Sequence, residues 1–187
     1  MTSTYRWTSA DLDALPDDGK RYEIIDGELF VSKQPHFYHQ MICTGISTLL
    51  FNWSKQSNLG HTVIAPGVIF AEHNDVVPDI VWISNERLPA ALGNDGKFHS
   101  APDLVIEVLS PGRANERRDR EAKLKLYSRR GVLEYWIVDW VAHCVEIYRR
   151  QSSDLELFVT LTKGDLLQSH LLPNFTAQID ALFTDLP

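Results

Sequence analysis

The sequence predicts an α/β (α+β) architecture: a mixed central β-sheet flanked by helices. Three observations carry the layered part of that expectation. Two apolar runs, Val76-Val77-Pro78-Asp79-Ile80-Val81-Trp82-Ile83 and Leu104-Val105-Ile106-Glu107-Val108-Leu109, lack clean alternation. Such runs describe central strands covered on both faces. Two longer stretches, near 36–53 and 114–130, carry helical spacing. Strand-like and helix-like segments are interspersed along the chain, as layered folds require.

The elements follow in order. Residues before about 20 suggest a short helix with Thr8 or Ser9 as N-cap, then a Pro16-Asp17-Asp18-Gly19 turn. Arg21 to Ile25 and Glu28 to Ser32 flank Asp26-Gly27, a strong two-residue hairpin signal. From His36 to Trp53, Ile42, Ile46, Leu49, Leu50 and Trp53 form one apolar helical face, and Asn58-Leu59-Gly60 ends it. Strands are expected at His61 to Ile64, Val68 to Ala71, and through the two apolar runs. A helix from Ala114 to Arg130 stops at Gly131. Strands at Leu133 to Asp139, Val145 to Arg149 and Leu155 to Leu161 precede a last short helix near Ala177 to Phe183.

The 187 residues suit one domain, 1–187, with a real hydrophobic core, and 44% hydrophobic content is ordinary for a globular chain. No apolar run approaches the ~20 residues of a membrane span. The first seven residues hold no signal-peptide core. Cys43 and Cys144 are isolated, which fits a reducing cytoplasm, argues against a thiolate zinc site, and leaves both as expected small core residues.

The net charge of −7 opposes non-specific nucleic-acid binding. Its distribution is uneven. Between Arg113 and Arg130, eight basic side chains stand against three acidic ones, leaving −12 for the rest of the chain. A basic face on an acidic body suits a phosphate-bearing substrate, and equally a solvated helix with mixed ion pairs.

Two carboxylates inside apolar runs, Asp79 and Glu107, need partners or a metal if buried. Asp103 shares a strand face with Glu107, but four residues of strand separate them by roughly 13 Å. One ion with bonds of about 2.1 Å cannot bridge that gap. Asp103 is therefore expected to open the strand or cap a neighbouring loop, while Asp79, on a different strand, can meet Glu107 across the sheet. At about 100° per residue, Lys123 falls on the packed side of its helix with Ala122, Leu126 and Tyr127, while Arg118 and Lys125 face solvent. Lys123 then pairs with those carboxylates or with Asp119 one turn back.

The series Pro78-Asp79, Glu107-Val108-Leu109-Ser110-Pro111, Asp119, Lys123, Tyr127, Gly131-Val132 and Glu134-Tyr135-Trp136-Ile137-Val138-Asp139 resembles the Uma-two family of the PD-(D/E)XK, or restriction-endonuclease-like, nuclease superfamily. Tyr22-Glu23-Ile24-Ile25-Asp26-Gly27-Glu28-Leu29 and Leu171-Leu172-Pro173-Asn174-Phe175 match it too, so the likeness spans roughly residues 20 to 183. The resemblance implies a Mg²⁺- or Mn²⁺-dependent endonuclease acting on DNA, with Asp79 and Glu107 as metal ligands and Lys123 as the active-site lysine. A strand carbonyl such as that of Val108 would be a further ligand. Glu23 matches an N-terminal acidic position; alternatively it pairs with Arg21 or Lys33. His39 matches a histidine near the first long helix's start; alternatively it is a satisfied core residue. Asp119 and Tyr127 would orient Lys123, and Asp139 is structural. One departure stands out. The superfamily lysine follows the second acid by two residues on the same strand, where this chain has Leu109. Alternatives to the nuclease are a binding module without turnover and a hydrolase of small phosphodiesters. A homodimer would suit cleavage of two strands.

Overall fold

The computed structural model describes residues 5–184 and 186. Helix α1 (Ser9–Leu12) starts at Thr8, whose backbone N–H and hydroxyl both donate to the Asp11 carboxylate at 2.8 Å. Strands β1 (Arg21–Ile25) and β2 (Glu28–Ser32) form the expected hairpin. Asp26 and Gly27 both take positive φ, 53° and 83°, as a two-residue turn of the twist-matched type requires. Helix α2 (Phe37–Ser57) runs further than its apolar face suggests and ends on Asn58 in the left-handed region.

The strands then divide between two sheets. β3 (Gly60–Ile64), β6 (Ile80–Ser84), β7 (Leu104–Val108), β8 (Glu134–Asp139), β9 (Cys144–Gln151) and β10 (Asp154–Leu161) form a six-stranded sheet in the order β10-β9-β8-β7-β6-β3. Only β7 and β8 pair in parallel, so the sheet is mixed as expected. β4 (Val68–Ala71) and β5 (Asn74–Val76) join the hairpin in a four-stranded sheet, β2-β1-β5-β4. Short α3 (Leu88–Ala91) follows β6, and β11 (Leu166–Leu167), β12 (Ala177–Gln178) and α6 (Ile179–Leu182) close the chain.

One expectation needs correction here. The apolar run 76–83 is not one strand. It leaves the small sheet after Val76 and enters the large one at Ile80. Pro78 has no N–H to offer a ladder, and the neighbouring groups are held by side chains from β1. The Val77 N–H donates to Glu23 Oε1 at 2.9 Å, and the Val77 carbonyl accepts from Arg21 at 3.2 Å. Asp79 therefore sits at the crossing between sheets, immediately before β6.

The two faces of the large sheet carry separate cores. Ile80, Trp82, Leu104, Ile106, Val108, Trp136 and Val138 pack under α2 and the C-terminal segment. Val81, Ile83, Val105, Leu109, Tyr135 and Ile137 pack against the small sheet and the helix that follows β7. Strand alternation thus places Glu107 on the second face.

That helix begins as α4 (Arg113–Arg117), widens into a π-helical segment (Arg118–Lys123) and continues as α5 (Leu124–Arg130), with Gly131 left-handed at its end. The extra residue in a π turn shifts the phase of the residues around it. Lys123 points inward and Lys125 outward, as 100° per residue predicts, but Arg118 folds inward against that expectation. The buried Tyr135 hydroxyl donates to the Asp119 carbonyl at 3.1 Å, satisfying a backbone acceptor inside the widened segment. Tyr135→Phe, which keeps the ring and removes this hydrogen bond, should cost about 0.5–1.5 kcal/mol. A urea midpoint unchanged by this substitution would rule out the role.

Candidate active site

The β6–β7 register sets the site. Ile80 pairs with Ile106 in an antiparallel ladder, so Asp79 comes to stand opposite Glu107, one step beyond the last pair. The Val108 N–H donates to Asp79 Oδ2 at 2.9 Å and closes this end of the ladder. Arg21 from β1 reaches Asp79 Oδ1 at 3.0 Å, and His39 Nε2 from α2 lies 3.2 Å from Oδ2. Asp79 thus gathers contacts from β1, α2 and β7.

Glu107 faces the helix. Its Oε1 accepts from Lys123 Nζ at 2.9 Å and from the Tyr127 hydroxyl at 2.8 Å. Lys123 is 1% exposed and also lies 2.9 Å from Glu23 Oε1 and 3.8 Å from Asp119 Oδ1. Of the two strand carboxylates expected to partner it, Lys123 pairs with Glu107 and not with Asp79; Glu23 takes the second place, and Asp119 lies further away. Glu23 pairs with Lys123, not with Arg21 or Lys33 as the alternative held. Arg118 holds Asp119 at 2.9 and 3.2 Å, stands 3.9 Å from Glu23, and hydrogen-bonds Ser32.

The five residues singled out in the sequence are all buried in one neighbourhood, as two contact groups, His39 with Asp79 and Lys123 with Glu23 and Glu107, set beside each other by the β6–β7 register. Asp103 and Asp139 lie outside it. Asp103 caps the Ser84 N–H at 2.7 Å and meets Arg87, the loop-capping role expected of it. Asp139 binds Arg120 and caps the turn at Val141 and Ala142. Two contributors had no sequence signal. Arg21 reads as an ordinary strand start, and the inward turn of Arg118 depends on the π segment.

The electrostatics follow from packing four carboxylates around few cations. Burial pushes the Glu107 carboxyl up, Lys123 opposes it, and Asp79, Asp119 and Glu23 add to it, for a value of about 8. Burial also raises Asp119 despite Lys123 and Arg118. Asp79 goes the other way: burial would raise it, but the hydrogen bond and charge of His39, then Lys123, hold it well below the carboxylate range. Glu23 is likewise lowered, as Lys123 and Arg118 overcome its burial. Burial disfavours the Lys123 ammonium, yet Glu107 and Glu23 more than compensate and keep it protonated.

Asp79 and His39 open onto a cleft of about 250 Å³ lined also by Lys20, Arg21, Lys33, Ser110 and Arg118. Its rim is cationic and its floor anionic. The Asp79 carboxylate oxygens at the floor, with Glu107 opposite on β7, are hard donors of the kind that hold Mg²⁺ or Mn²⁺. Burial first, and then the charges of Asp79, Asp119 and Glu23, raise Glu107, and a divalent cation would relieve the second of these causes. Such an ion would compete with Arg21 and His39 for Asp79.

This combination, a mixed sheet with flanking helices and two acids placed opposite each other on neighbouring strands, defines a protein of nuclease-like fold. A crystal structure of a putative nuclease from Anabaena variabilis superposes with a TM-score of 0.75, at 21% identity, over 95% of this chain and 97% of that one. A weaker likeness, TM-score 0.42 and 14% identity, covers 80% of this chain but 17% of the type IIG restriction endonuclease BpuSI. No curated protein sequence matches. The chain belongs to the Uma2 family, described as "putative restriction endonuclease", which matches residues 9–181. Among the described residues no helix is long and apolar enough to cross a membrane.

The shifts give a stability prediction. A carboxyl raised in the folded state binds more protons there than when unfolded, so it drains stability as pH rises from the unfolded carboxylate range to its folded value. For Glu107 that window runs from its ordinary 4.5 to about 8. Stability should fall across it, and Glu107→Gln should flatten the fall by on the order of 1–3 kcal/mol. Parallel slopes for both proteins in urea unfolding between pH 5 and pH 8 would contradict this origin.

Proposed function

We propose that this protein is a Mg²⁺- or Mn²⁺-dependent endonuclease that hydrolyses DNA phosphodiester bonds at the cleft that Asp79 lines, with Glu107 buried behind it. The observation that supports it most is the register that puts these two acids opposite each other on neighbouring strands, with Asp79 beneath a cationic rim. Asp79, Glu107 and the Val108 carbonyl would hold the ion. When bound, a divalent cation supplies Lewis acidity toward a phosphate oxygen and acidifies a water.

The chain's own residues do the rest. Lys20, Arg21, Lys33 and Arg118 face the cleft and would seat phosphates of the substrate strand. These cations come mainly from the N-terminal hairpin and the loops beside it; of the basic helix, only Arg118 lines the cleft. Lys123 is too buried to touch substrate, and its protonated state excludes proton abstraction. It acts as a positioning residue that fixes the Glu107 carboxylate together with Tyr127. Glu23 fixes Lys123 from the opposite side and ties the Val77 turn to the site. His39 orients Asp79 and sets its charge. Cutting both strands of a duplex would take two copies of the chain, which a two-fold homodimer provides.

The small cleft and the net charge of −7 favour one second reading, hydrolysis of a small phosphodiester. Plasmid DNA and a dinucleotide, each incubated with Mg²⁺ or Mn²⁺, separate the two readings. Plasmid cleavage should require the ion and drop at least ~100-fold in Asp79→Ala and in Glu107→Ala. Lys123→Ala should lose activity as well. Equal cleavage by wild type and Glu107→Ala would defeat the proposal, and cleavage of the dinucleotide alone would leave the second reading.

A further inference from the structure

Cys43 has no part in the chemistry above, yet it lies beside it. His39 and Cys43 stand one helical turn apart on α2, so their side chains leave the same face. Both are buried, at 4% and 6% exposure. Cys43 Sγ lies 3.6 Å from His39 Nδ1, and His39 Nε2 lies 3.2 Å from Asp79 Oδ2. One ligand atom from each of the three residues falls within 4.8 Å of the others. Neighbouring corners of a tetrahedron with metal bonds of 2.0–2.3 Å are about 3.3–3.8 Å apart; the two short contacts use opposite ring nitrogens of His39, only one of which can bind an ion, so the three side chains close in on it from separations of up to 4.8 Å. Because Asp79 and His39 line the cleft, a fourth position is open to water, as in zinc sites with three protein ligands.

Sulfur and imidazole select differently from a carboxylate pair. Mg²⁺ takes oxygen ligands, whereas thiolate and imidazole favour Zn²⁺ and Co²⁺. We infer that His39, Cys43 and Asp79 form a second metal site, specific for a thiophilic divalent cation, that shares Asp79 with the carboxylate site. Cysteine spacing argues against such a site, because the two cysteines stand apart and Asp79 lies far along the chain from His39 and Cys43. Binding is a proton exchange without redox change. The Cys43 sulfur–hydrogen bond breaks as the sulfur–metal bond forms, and the proton leaves to solvent. His39 binds through one ring nitrogen as neutral imidazole, so the proton it shares with Asp79 also leaves to solvent, and Asp79 binds as carboxylate. One ion on Asp79 excludes the other there, so zinc would block the Mg²⁺ mode; only this consequence rests on the nuclease reading.

Cobalt spectroscopy of the full chain tests the site without any assay of cleavage. Metal-free protein titrated with Co²⁺ should develop a thiolate-to-cobalt charge-transfer band in the near ultraviolet, saturating at one ion per chain and abolished by Zn²⁺. The band should vanish in Cys43→Ser and persist in Cys144→Ser. Zinc affinity in Cys43→Ser should fall at least ~10-fold. Wild-type protein that binds no cobalt, or binds it without the band, overturns the inference whatever the variants do. A band that survives in Cys43→Ser overturns it too. Absence of nuclease activity would leave a positive spectrum standing, and absence of the band would leave the nuclease reading untouched.

Discussion

Everything at this site depends on one buried ammonium. Lys123 Nζ lies at hydrogen-bond distance from Glu107 of the large sheet and from Glu23 of the small one, with Asp119 one turn back on its own helix. It therefore joins three layers at one point. A lone charge in this position would be prohibitively desolvated, and so would any of the three carboxylates without it. Buried ion pairs of this kind do little for net stability, but removing one partner leaves uncompensated charge at a cost of 3–5 kcal/mol. Glu107 is the least favourably placed member: burial first, and then Asp79, Asp119 and Glu23, raise its carboxyl to about 8. A carboxyl so raised, opposite an Asp79 that lines a cationic cleft, is the physical basis for reading the site as a metal centre.

The second constraint is the crossing between sheets at Val77-Pro78-Asp79. A proline that cannot donate ends one ladder, and Glu23 and Arg21 take over the hydrogen bonds that strand pairing would have provided. The same two side chains then reach Lys123 and Asp79. Folding of the N-terminal hairpin and assembly of the site are thus one event. The π-helical segment plays the matching part on the other side, directing Asp119 and Lys123 inward together and folding Arg118 over them.

Much of this was legible in the residues. The Asp26-Gly27 hairpin, the α2 stripe apart from Leu49, which the structure leaves exposed, and the runs of β6 and β7 carry strong local signals, and strand parity with rise removed Asp103 as a partner of Glu107. Helix phase separated Lys123 from Lys125 because both lie far enough into the helix to keep their sides. The break before Asp79 was hidden, since hydropathy cannot distinguish one buried strand from two that meet in different sheets. Arg118 was misplaced because an i→i+5 turn has no composition of its own. Arg21 and Cys43 gave no signal, as each acquires its neighbours through contacts distant in sequence.

The central claim is that the buried carboxylates are arranged to receive a divalent cation. Calorimetric titration of Mn²⁺ at pH 7, in two buffers of different ionisation enthalpy, tests it most directly. Binding should release a proton as Glu107 exchanges it for the ion, and both the heat and the release should disappear in Glu107→Ala. No binding at millimolar Mn²⁺, or binding identical in wild type and Glu107→Ala, would contradict the account.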